Sequence, residues 1–172
     1  MASCIVDTNV AITANKTVSD IPNDLLECTG KCIEIIEEVI KKKSLVLDED
    51  GEIFEEYKNN LSFSGQPGVG DRFLRWVHDN QWKLQGNNRV AITKNGDSYD
   101  EFPEHEDLES FDISDRKFVA VAAAHTNNPM IYQATDSKWW GWKEALRACS
   151  IEVAFVCPDY IEAKYKQKMG LS

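Results

Sequence analysis

The chain opens on an apolar run, Cys4-Ile5-Val6, followed at once by Asp7, Thr8 and Asn9 and then by a second apolar stretch, Val10 to Ile12. The first run predicts a short buried strand that delivers a carboxylate at its C-terminal end. Residues 14–24 are polar, contain Pro22 and predict a loop that leads into a helix. Over Leu25 to Lys43, residues Leu25, Leu26, Cys32, Ile33, Ile36, Val39 and Ile40 fall near one helical face. Glu34, Glu37 and Glu38 fall mainly off that face, and Lys41 to Lys43 suit the negative end of the helix dipole.

Leu45 to Leu47 predicts a second buried strand ending in Asp48, with a turn at Glu49-Asp50-Gly51. Ile53, Phe54, Tyr57 and Leu61 then recur at helical spacing, with Glu52, Glu55 and Glu56 interleaved. Residues 62–70 are a loop by composition, and Asp71 caps a further helix through Phe73, Leu74, Trp76 and Val77. Arg89 to Thr93 predicts a strand, and the polar, acidic stretch 94–110 a long surface loop bordering a site. A helix from Ile113 carries Phe118, Val119, Ala122 and Ala123 along its face and ends at Asn127-Asn128-Pro129. Met130 to Ala134 predicts a strand delivering Thr135-Asp136, Trp139 to Cys149 a helix, and Ile151 to Val156 a last strand. Pro158 and a polar tail follow. Strands alternating with helices predict an α/β domain whose parallel sheet is covered by helices on both faces. With no repeat or linker, residues 1–160 read as one domain and 161–172 as a C-terminal tail.

Composition narrows the class. An apolar fraction of 42% and a charged fraction of 28% in 172 residues are those of an ordinary globular domain able to bury a core. No apolar run is long enough to span a bilayer, and the N-terminus lacks the basic and apolar regions of a signal peptide, so the expected compartment is the cytoplasm. Five cysteines with no CxxC pair are expected to be small buried hydrophobes, although Cys28 and Cys32 stand one helical turn apart. A net charge of −10 argues against a protein that coats nucleic acid, but not against an enzyme that meets phosphate through bound cations.

Four acids stand out by position. Asp7 and Asp136 follow strands, Asp115 opens a helix, and Glu56 lies in the helix after the second strand. An all-oxygen set of this kind suits hard cations, Mg²⁺ or Mn²⁺, as one or two ions. Plain roles compete: Asp115 and Asp136 as helix caps, Glu56 as a solvated helix position. Asp7 is harder to dismiss, because a charge abutting a buried strand is costly unless paired or metal-bound. His78, His105 and His125 are scattered and read as surface or capping residues.

In the order IVDTNV, EIFEEY, DRKFVAVAAAH and ATDSKWW, the chain resembles the PIN-domain family of metal-dependent nucleases, from Ile5 to about Pro158. The resemblance implies a three-layer α/β/α sandwich with a central, mostly parallel sheet. It also implies a catalytic, metal-binding quartet of Asp7, Glu56, Asp115 and Asp136. Glu55 beside Glu56 leaves a one-residue alternative open, and Asp48 and Asp112 are further acids that could supply or replace a ligand. Thr8, Asn9, Asp112 and Thr135 are expected to orient ligands or water. Arg116, Lys117 and Lys138 are expected to meet substrate phosphate, with Lys58, Arg72 and Arg75 as other basic candidates. Two of Trp139, Trp140 and Trp142 are expected in the core, with the third open to base stacking.

The implied activity is hydrolysis of single-stranded RNA to 5′-phosphate and 3′-hydroxyl ends. The roles it brings are the toxin of a bacterial toxin–antitoxin pair, or a nuclease of defence or RNA processing. An antitoxin or other regulatory protein and a second copy of the chain are the implied protein partners, with no membrane. The alternative is a degenerate PIN fold that binds RNA or protein without catalysis. A haloacid-dehalogenase-like phosphatase would need a second Asp two residues after Asp7, where this chain has Asn9.

Overall fold

A computed structural model of the protein describes residues 1–64, 67–84 and 86–171. Gly65 and Gln66 of the expected 62–70 loop, and Ser172 of the expected tail, lie outside them. The described strands are β1 (Cys4–Val6), β2 (Leu47–Asp48), β3 (Arg89–Val90), β4 (Lys94–Asn95), β5 (Ser98–Tyr99), β6 (Met130–Gln133) and β7 (Val153–Phe155). The helices are α1 (Thr8–Ala14), α2 (Leu26–Lys42), α3 (Glu52–Asn60), α4 (Val69–Asn80), α5 (Arg116–Ala124), α6 (Ser137–Ala148) and α7 (Pro158–Lys168).

The chain is mixed α/β with small sheets. β1, β6 and β7 form a three-stranded parallel sheet in that order, with Ile5 opposite Ile131 and Ile131 opposite Val153. β2 and β3 form a separate parallel pair. A single parallel bridge between Cys4 and Leu45 sets the approach to β2 beside β1, through Cys4 N to Ser44 O at 2.9 Å and Val46 N to Cys4 O at 2.8 Å. All these pairings are parallel because a helix or long crossover intervenes between partners, as the alternating pattern requires.

Ile5, Val6, Ile131 and Ala134 are fully buried, and the helices close over them. α2 buries Cys28, Cys32, Ile36 and Val39, spaced by one turn each, which is the stripe its sequence periodicity demands. α4 approaches α1 closely at Gly70, where a Cβ would stand 2.1 Å from the Ala11 carbonyl oxygen. Asn15 at the end of α1 accepts the Asp71 backbone N–H at 3.1 Å, locking that crossing.

Four sequence expectations are corrected. The strand expected over Arg89 to Thr93 pairs only at Arg89 and Val90. The 94–110 loop contains the β4–β5 hairpin and a 3₁₀ turn at Glu106–Leu108, pieces too short to show a hydrophobic period. The polar tail is α7, whose Ile161 is fully buried; one apolar anchor in a polar helix leaves no amphipathic stripe to read. Cys28 and Cys157, expected as separate buried thiols, form a disulfide across 129 residues of chain, with Cα atoms 5.3 Å apart. Cysteine usage therefore gives no support for a reducing compartment. Among the described residues no helix is long and apolar enough to cross a membrane.

Candidate metal centre

β1 and β6 are adjacent and parallel, so their C-terminal ends open at the same edge. Asp7 leaves β1 and caps α1, its Oδ1 accepting the Asn9 backbone N–H at 3.0 Å. Its own N–H donates to Tyr132 O at 3.0 Å, which ties it to β6. Asn9 completes the junction: its Oδ1 accepts from the backbone N–H groups of Ala134 and Thr135 at 3.0 and 3.2 Å. The turn that carries Asp136 is thereby clamped to the residue two positions after Asp7. Asp136 caps α6 by accepting the Lys138 N–H at 3.0 Å, and its N–H donates to Gln133 Oε1 at 3.2 Å.

Asp115 stands where a 3₁₀ turn passes into α5. Its Oδ2 accepts the Trp139 indole N–H at 3.1 Å. Trp139 is fully buried and packs edge-on against Phe111, so the ring that holds Asp115 is itself held. Glu56 reaches in from α3 on the side where Thr8 Oγ1 donates to it at 3.5 Å and the Lys117 ammonium pairs with it. Glu55 faces solvent and pairs with Lys58 at 2.7 Å. Tyr57, next along α3, donates its hydroxyl to Val6 O at 2.6 Å and fixes α3 against the end of β1.

Oxygens of Asp112, Asp115 and Asp136 lie within 4.8 Å of one another. Asp7, only 3% exposed, lies behind them. Burial pushes its carboxyl well above the ordinary value, the Asp115 charge adds to that, and Glu56 and Asp136 push the same way against the Asn9 amide. Asp115 is raised from 3.8 to about 6, chiefly by burial; the Trp139 hydrogen bond opposes this, and the charges of Asp136, Glu56 and Asp112 add to it. Like charges are held together here by the scaffold, against their own repulsion. Five carboxylates face two ammonium groups: Lys117 on Glu56, and Lys138 on Asp112 at 2.8 Å. The donor set is oxygen throughout and carries excess negative charge, which fits a hard divalent cation.

The residues expected to touch substrate are placed differently from one another. Lys138 is exposed beside the cluster. Lys117 is buried, with its charge spent on Glu56. Arg116 turns away, donating to Phe111 O and Glu109 O at 3.2 and 2.9 Å over the Phe102 ring. Thr135 contributes its backbone N–H to Asn9. Asp48 caps α3, its two oxygens accepting from Glu52 N and Ile53 N at 2.8 and 2.9 Å. Trp140 packs against Phe155 and Trp142 against Phe111. His105 and His125 accept backbone N–H groups of Asp107 and Asn127. A concavity of about 590 Å³ lies between the β4–β5 hairpin and residues 102–109, with Arg116 on its wall; the carboxylate cluster is outside it.

Asp112, open in the sequence as either an orienting group or a ligand, supplies an oxygen to the acidic trio. The Trp139–Asp115 bond had no signal in the sequence, because it joins α6 to α5 across the fold. No protein-family model, curated protein or solved structure matches the chain.

Proposed function

We propose that the chain is a divalent-metal-dependent endoribonuclease of the PIN type, its short parallel strands forming the middle of an α/β/α sandwich. The observation that carries the reading is the grouping of Asp112, Asp115 and Asp136 within 4.8 Å, with the buried Asp7 carboxyl outside that group but close enough for the Asp115 and Asp136 charges to raise it. A scaffold without a cation has no use for buried carboxylates that raise one another's proton affinity.

Asp7, Asp115 and Asp136, with Asp112 beside them, would hold Mg²⁺ or Mn²⁺. When bound, such an ion neutralises phosphodiester oxygens and acidifies water. Glu56 already has a cation in Lys117, so the charge left for divalent ions lies at the aspartate end. Asn9 fixes the distance between the Asp7 and Asp136 backbones, and Trp139 fixes the Asp115 rotamer. Lys138 is the exposed ammonium nearest the cluster, and it would pass from Asp112 to a substrate phosphate as Asp112 turns to the ion. Hydrolysis by water needs no protein nucleophile. A regulatory protein of the antitoxin class, a second copy of the chain and a cytoplasmic setting come with this reading from the resemblance.

A second reading, a PIN-like module that binds without cleaving, is favoured by the two ammonium groups of Lys117 and Lys138, which offset part of the acidic charge without a metal. Labelled single-stranded RNA separates the two. The enzyme cleaves it with Mn²⁺, stops with EDTA, and loses the activity in Asp7→Asn. Cleavage that survives EDTA or Asp7→Asn, or no cleavage across a broad RNA panel, refutes the nuclease.

A further inference from the structure

A second ligand cluster lies away from the carboxylates. Cys28 and Cys32 occupy successive turns of α2, and Cys157 stands immediately before α7. Their three sulfur atoms lie within 4.8 Å of one another, and all three residues are buried. In the structure Cys28 and Cys157 are bridged and Cys32 is a free thiol. A shallow depression of about 110 Å³ opens over the bridge, with Cys28 and Cys157 on its wall beside Asp24, Glu27, Lys31 and Asp159. Cys32 is fully buried and is not part of that wall.

We propose that these cysteines are a redox-gated site for one thiophilic cation of the Zn²⁺ class, filled when the thiols are reduced and emptied when Cys28 and Cys157 join. Zn–S bonds of about 2.3 Å place sulfur neighbours in a tetrahedron roughly 3.8 Å apart, inside the spread seen here. Three thiolates are soft ligands, unlike the oxygen set at the carboxylate cluster. The fourth position faces the depression, where water or one of its carboxylates completes the shell.

The switch balances with a small disulfide as oxidant. The Cys28 thiolate attacks it and releases one thiolate. The Cys157 thiolate then attacks the mixed disulfide and releases the second. Cys28 and Cys157 together lose two electrons, the small disulfide gains them, the cation leaves, and Cys32 takes up a proton. The depression explains the choice of pair, since an oxidant entering there meets Cys28 and Cys157 but not Cys32.

Cobalt(II) tests the site in the full chain, because thiolate ligands give it an intense near-ultraviolet charge-transfer band that carboxylates do not. The phosphine-reduced protein should develop the band to one molar equivalent, and one equivalent of Zn²⁺ should abolish it. The oxidised protein should show no band, and reduced Cys32→Ser should lose the stoichiometric band. Oxidised Cys32→Ser keeps the Cys28–Cys157 bridge, and its unchanged melting curve serves as the folding control. Asp7→Asn should leave the band intact, which separates this site from the carboxylate centre. Absence of the band in the reduced wild type, or its persistence unchanged in Cys32→Ser, overturns the proposal.

Discussion

Asp115 and Lys117 lie two residues apart and feel opposite forces. Raising the Asp115 carboxyl from 3.8 to about 6 means that the folded protein holds this proton more tightly than the unfolded chain does. The penalty is absent below the unfolded value, grows as pH rises from about 4, and is complete above about 6. Allowing for partial exposure, it costs the metal-free fold about 1–2 kcal/mol at neutral pH. Asp115→Asn should therefore raise the melting temperature at pH 7.5 by about 3–6 °C, with little effect at pH 4.5. The same variant should lose the stabilisation that Mn²⁺ gives the wild type, both readable in one set of melting curves. Lys117→Met should do the reverse: it strands the Glu56 charge in a partly buried place and should cost on the order of 2 kcal/mol in denaturant unfolding. Adding Glu56→Gln should recover most of that loss. The positions of Asp7 and Asp136 beyond the ends of β1 and β6 were legible in the sequence, because each follows an apolar stretch. The engagement of Lys117 was not, because adjacency to Asp115 says nothing about a contact with Glu56, 61 residues away.

The elements divide by how much of their pattern is local. α2 announces itself through a stripe of one buried residue per turn, β1 through an unbroken apolar run and β6 through Met130 to Tyr132. α7, with Ile161 as its buried residue, and the hairpin at 94–99 carry no such stripe. The pairing of Cys28 with Cys157 depends on where the end of β7 meets α2, which no spacing rule gives. α3 illustrates a site element held by a cap. Gly51 sits in the left-handed region (φ 86°), and Asp48 satisfies the first helix N–H groups from across that turn. Asp48 is an acid at the end of a strand, like Asp7, but both of its oxygens are spent on backbone. Asp48→Ala should lower stability by about 1–2 kcal/mol. Because α3 carries Glu56, it should lower metal-dependent activity only in proportion to unfolding, as activity measured beside circular dichroism will show.

At the scale of the molecule, a net charge of −10 opposes the RNA substrate proposed above. Most nucleic-acid-binding proteins lose affinity steeply with salt because their cations displace counterions from phosphate. Here the summed field repels RNA outside the site, and screening weakens that repulsion over a Debye length of about 10 Å at 0.1 M salt. KM for single-stranded RNA should therefore fall, or stay level, as monovalent salt rises from about 20 to 150 mM at saturating Mn²⁺; a steep rise would mean that a basic track governs binding. The fold and its chemistry converge on one claim, that the edge shared by β1 and β6 is built to hold a divalent cation. Crystals grown with MnCl₂ and measured for anomalous scattering test it most directly. A peak bonded to oxygens of Asp7, Asp115 and Asp136 is expected, and it should be absent in crystals of Asp7→Asn. A map with no peak at that edge, and Lys138 still bridging Asp112, would contradict it.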